Sequence, residues 1–171
     1  MNSNFWMILF IATIIIFSFA FSWIIVVEVI SIHSLNLRVE NSLIASGWAG
    51  FSQLDLATMG ERIDLLDSEG RDIYLDKTKA IQVVRDYIKA NLNLDDDLVA
   101  TGSSYIHHRQ QPVVIEEITI YNPHDLPAVT SDNIPLKRTT IHIIILVPKD
   151  IKFLGTTYLK KSVPVDIKAF M

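Results

Sequence analysis

Hydrophobic and polar positions change rhythm three times along this chain. Residues 5–27 carry no charge and are nearly all Ile, Phe, Val, Leu, Met, Ala or Trp. At about 1.5 Å rise per residue, a helix over that run is roughly 34 Å long, enough to cross a hydrocarbon core of about 30 Å. Beyond Glu28 polar residues enter, but helical spacing persists. Ile32, Leu35, Val39, Leu43, Ser46, Gly50 and Leu54 recur every three or four positions on one stripe, with Asn41, Ser52 and Asp55 towards the other side. The pattern predicts one helix, membrane span and amphipathic stalk together, running to about Met59 and stopped by Gly60.

A polar link over 65–75, containing Gly70, leads into "DKTKAIQVVRDYIKANL". Here Asp76 is a suitable N-cap, Ala80, Val83, Val84, Tyr87, Ile88 and Leu92 make one apolar face, and the helix is expected to fray at 91–93. The rhythm then shortens to two. "VVIEEITIY" (113–121) sets Val114, Ile118 and Ile120 against Val113, Ile115, Thr119 and Tyr121. "TTIHIIILV" (139–147) is β-branched and reads as a buried central strand, and "SVPVDIKAF" (162–170) reads as an edge strand because of its proline. A fourth strand over 100–106 is possible. Pro123, Pro127, Pro135 and Pro148 fall between these runs, with Gly155 at a turn. The expected class is α+β: a transmembrane anchor (1–31), a stalk helix (32–60), and a head (61–171) in which a short helix packs on a small antiparallel sheet.

Two tryptophans, Trp6 and Trp23, lie near the ends of the apolar run, where indole rings favour the membrane interface, and Glu28 marks its far boundary. A cleavable signal peptide is the competing reading, since Ala20, Phe21 and Ser22 offer small residues at suitable spacing. Cleavage there would leave "WIIVV" at the new terminus, and no basic segment precedes the run, so an uncleaved single-pass anchor is expected. Orientation rests on little, because the first Lys or Arg is Arg38. A short N-terminal tail before a long C-terminal domain favours a plasma-membrane anchor with its head outside the cytoplasm.

The chain of 171 residues has a net charge of −4, and every Lys and Arg and all but one Asp or Glu lie beyond the span. A mildly acidic head argues against nucleic acid as a partner. There is no cysteine, hence no disulfide framework and no thiolate metal site. No two of His33, His107, His108, His124 and His142 have helical i, i+4 ligand spacing, and HExxH, GxSxG and phosphate-binding glycine patterns do not occur. "HHRQQP" reads as an exposed loop, "DDD" (95–97) as a solvated one, and His142 as a hydrogen-bonded sheet residue. Glu116 and Glu117, adjacent in a strand, are expected on opposite faces. Neither an enzyme, nor a cofactor, nor a metal site is expected.

The stalk carries the feature closest to a site. In "SLIASGWAGF", Ser42, Ser46 and Gly50 fall four residues apart, as do Ala45 and Ala49. Small residues at that spacing let another backbone approach closely, which makes Ser42, Ala45, Ser46, Ala49 and Gly50 a candidate helix-packing interface. Trp48 and Phe51 beside them would bury large areas against a partner or against the head.

The order of parts resembles pilin-like and pseudopilin proteins, and most closely the TadE-like proteins of tight-adherence pilus systems. The resemblance is carried by the hydrophobic helix running into "VENSLIASGWAGFSQLDLATMGERI", then "DKTKAIQVVRDYIKANL", then "TIHIIILVPKDIKFLG" and "KKSVPVDIKAFM". It implies a structural or accessory subunit, of minor-pilin type, in a prokaryotic surface-appendage or secretion machinery, touching lipid and copies of itself or sister subunits. With no basic residue before Arg38 and no glycine before Gly47, the chain shows no prepilin cleavage motif. The resemblance therefore assigns no site residue. Two other readings are a membrane-tethered sensory or ligand-binding domain, and an accessory subunit of another membrane complex.

Overall fold

The computed structural model describes residues 3–55, 73–152 and 155–166, and its order of elements is the expected α+β arrangement. The expected stop at Gly60, most of the 65–75 link and the end of the last strand lie outside these residues. The chain divides into two compact units, Met1–Leu35 and Asn36–Met171. One helix, α1 (Ser3–Gly50), supplies the described residues of the first and opens the second.

In the first unit α1 exposes its large apolar side chains, including Phe10, Ile16, Phe17 and Phe19. The helix is long and apolar enough to cross a membrane. Two of its hydroxyls bond within the helix: Thr13 Oγ1 donates to Leu9 O and Ser22 Oγ to Ser18 O, both at 2.8 Å. That removes the cost of carrying unpaired hydroxyls into an apolar medium.

In the second unit, Val39, Leu43, Ser46 and Gly50 form the buried stripe that the spacing predicts. The helix ends at Gly50, however, and not near Met59. Phe51 and Ser52 turn the chain, and Asp55 N–H donates to Tyr74 O (2.8 Å) while Asp76 N–H donates to Gln53 O (3.0 Å). Leu54, expected on the stripe, is exposed. Two backbone bonds to the strand-like segment before the next helix win over another helical turn.

Helix α2 (Lys77–Leu92) starts where Asp76 accepts a hydrogen bond from Lys79 N–H, as its sequence predicts. Ala80, Val84, Ile88 and Leu92 are buried, whereas Tyr87, read as part of that face, is half exposed. The C-terminus does not fray: Asn93 takes a left-handed conformation and its N–H closes on Ala90 O, with Leu94 N–H on Lys89 O.

The sheet has the order β1–β4–β5, all antiparallel, from β1 (Val114–Tyr121), β4 (Thr140–Ile151) and β5 (Gly155–Asp166). The small ribbon of β2 (Ala128–Val129) with β3 (Pro135–Leu136) adds to the expected elements, and residues 100–106 form no strand, only an isolated bridge from Ala100 to Leu94 followed by turns and irregular chain. Pro148 lies within β4, opposite Tyr158, and not in a connection. Ile141, Ile143, Ile145 and Val147 of β4 are buried, and their partners Val163 and Val165 are buried with them.

In β1 the register shifts between Ile115 and Glu117. This bulge at Glu116 overturns two expectations. Ile115, Ile118 and Ile120 pair with Ile145, Ile143 and Ile141, so all three share the core face. Glu117 pairs with Ile144 and Glu116 reaches Lys160, whose strand partner is Leu146, so both acids lie on the outer face. An inserted residue shifts the alternation by one, which no count of twos can anticipate.

Candidate functional site

The small-residue face of α1 is partly consumed within the second unit. Ser46 is fully buried; its Oγ donates to Ser42 O (2.7 Å) and accepts from Asn91 Nδ2 of α2 (3.1 Å). Gly50 is buried so tightly that a Cβ there would stand 2.6 Å from Val84 Cγ2 and 2.7 Å from Ile141 Cδ1. Gly47, which the four-residue spacing passes over, is equally close: an added Cβ would meet Val165 Cγ2 at 2.7 Å. The space these small residues leave is filled by side chains of α2, β4 and β5 of the same chain.

Ser42 is half-buried and shares a hydrogen bond of 2.9 Å with the Tyr105 hydroxyl. Burial pushes the Tyr105 phenol up, opposed by that Ser42 hydrogen bond and by the Arg38 guanidinium, which lies 5.8 Å from the ring centre. Glu40 and Lys161 of β5 form a 2.6 Å ion pair. Ala45 is exposed, Ala49 half-buried and Trp48 36% exposed. At the far end of α1, Trp6 and Trp23 are more than half exposed and Glu28 is half-buried.

The loop read as exposed is not uniformly so. His107 is exposed, but His108 is buried, with Nδ1 2.9 Å from Asp150 Oδ2. Hydrogen bonds from His108 and Thr156 hold the Asp150 carboxyl below its ordinary range. The pairing joins loop to strand over a long sequence separation, which no local pattern reveals. Among the described residues no three His, Asp or Glu side chains are arranged to hold a metal ion. A cleft of about 250 Å³ lined by Pro135, Leu136, Lys137, Arg138, Thr140 and Asp166 is small beside the ~300–1,000 Å³ usual for small-molecule sites.

Compared with protein-family models, curated proteins and solved structures, the chain finds no match.

Proposed function

We propose that this chain is a non-enzymatic, single-pass membrane protein, a structural or accessory subunit of minor-pilin type in a prokaryotic surface-appendage or secretion machinery. The observation that carries this reading is α1 itself. A single helix begins with exposed apolar side chains at membrane-spanning length and ends inside the packed core of an α+β unit. Such a helix anchors by its first part and holds a folded head by its last turns. The head lies outside the cytoplasm, lipid surrounds the span, and sister subunits or further copies meet the chain along α1. Within the stalk, contact between subunits falls to Ala45 and Ala49, because Ser46 and Gly50 are occupied by the head.

Fractionation of native cells tests this. The expected result is a full-length mass in the membrane fraction after alkaline carbonate washing, with the head cut by protease added to intact spheroplasts. Cysteine placed at Ala45 is expected to cross-link into dimers or to a sister subunit. A chain released by carbonate, or a head protected from external protease, overturns the anchor or its orientation. A monomeric Ala45→Cys chain overturns the assembly role.

A further inference from the structure

The three strands of the sheet are not matched in length. β1 begins at Val114, opposite Leu146, whereas β4 and β5 stay paired beyond it, from Val147 with Leu159 to Ile151 with Gly155. At about 3.4 Å per residue, these five further pairs make a two-stranded ribbon roughly 17 Å long. Two strands alone are marginal in water. This ribbon is braced at Asp150, whose carboxylate accepts from Thr156 Oγ1 (2.7 Å) and pairs with the buried His108 (2.9 Å). Lys152, Thr156, Thr157 and Tyr158 nevertheless stay exposed, and Lys149 and Ile151 are half-buried.

The ribbon lies at one defined end of the second unit. Glu40 of α1 pairs with Lys161, and Gly47 stands against Val165, so helix and β5 run in the same direction. Back from Lys161, β5 continues to Gly155, a distance of about 20 Å. Back from Glu40, the helix has about 6 Å before this unit begins at Asn36. The ribbon therefore extends towards the end at which the chain enters from its apolar stretch. Glu28 bounds that stretch, and the chain from Glu28 to Asn36 measures at most about 29 Å even when fully extended.

Charge singles out the same place. Residues 147–161 hold four Lys and one Asp, in a chain whose net charge is −4. The one acid, Asp150, is the group already engaged by His108 and Thr156. Tyr and Lys suit a membrane–water boundary, with ring or stem towards the acyl chains and polar end among the headgroups.

We propose, resting on the reading of this chain as membrane-anchored, that the β4–β5 ribbon is a second membrane contact, made end-on with the leaflet the head faces. Ile151 and Lys152 meet the lipid at the tip, with Lys149 and Tyr158 behind them, the lysines on anionic phosphates and the tyrosine at the interface. Held at two points, the head turns less freely about its anchor.

Fluorescence quenching on the full chain in nanodiscs tests this. The chain has no cysteine, so Thr157→Cys on the ribbon and Lys137→Cys, next to the opposite end of β4, each carry one nitrobenzoxadiazole label. The discs hold phosphatidylcholine and phosphatidylglycerol in equal parts, with a trace of nitroxide-headgroup lipid as quencher. Strong quenching is expected at Thr157→Cys and only background at Lys137→Cys. Adding Lys152→Gln is expected to lower the ratio of quenched to unquenched ribbon about fivefold in these discs, and to change nothing in discs of phosphatidylcholine alone. Labels quenched alike, in discs that the chain has entered, overturn this inference and leave the anchor standing. A chain that does not enter the discs overturns both. An unquenched Thr157→Cys chain that forms disulfide-linked pairs puts a second copy on the ribbon in place of lipid. Quenching untouched by Lys152→Gln in the anionic discs overturns the phosphate contact.

Discussion

The two stretches of α1 are built on the same helical backbone and solve opposite problems. The stretch before residue 28 carries large apolar side chains that are exposed among the described residues. The stretch from Val39 to Gly50 is amphipathic, and its buried stripe shrinks from Val and Leu to Ser and Gly as it nears α2 and the sheet. A helix facing lipid gains from bulk on all sides, whereas one facing a strand and a second helix gains from close approach. Side-chain size therefore reports the neighbour more faithfully than hydropathy does.

The comparison breaks most visibly at Leu43, which is fully buried. Leu43→Ala is expected to cost the head about 2–5 kcal/mol, read by denaturant unfolding, and to leave membrane association alone. Ile15→Lys is the reverse case. It is expected to weaken insertion by about 2.5–3.5 kcal/mol in a membrane-partition assay, while the head's unfolding midpoint stays put. Gly50→Ala sharpens the comparison within the stalk: its Cβ must displace Val84 or Ile141, so a loss of about 1–3 kcal/mol is expected by thermal unfolding. Ala45→Leu, on the exposed side, is expected to stay within about 0.5 kcal/mol in the same measurement. If Gly50→Ala proves as silent as Ala45→Leu, the close packing of α1 on the head is refuted.

Much of the fold is legible in the chain because its signals are local. Asp76 followed by the Ala80, Val84, Ile88, Leu92 spacing marks α2, and the β-branched run around Ile143 marks the central strand. What the sequence hides depends on partners far along the chain. The helix end at Gly50 is set by backbone bonds from Gln53 and Asp55 to the segment before α2. The shared face of Glu116 and Glu117 follows from one inserted residue in β1. The small-residue stripe was visible, but its occupants were not: spacing shows that something comes close to Ser46 and Gly50, and only the fold shows that it is Asn91, Val84 and Ile141. The burial of His108 and His142 was hidden for the same reason, since Asp150, Glu117, Asp132 and Ser162 reach them from other elements.

The bulge at Glu116 bears on a hazard common to small open sheets. Both outer strands of this one, β1 and β5, present backbone groups to which an incoming chain can zip, the first step towards amyloid-like stacking. In β1 the inserted residue breaks the regular ladder such a visitor would have to match. In β5 Pro164 has no N–H to offer. These two irregularities oppose the edge-to-edge pairing by which copies of an open sheet join into a fibre.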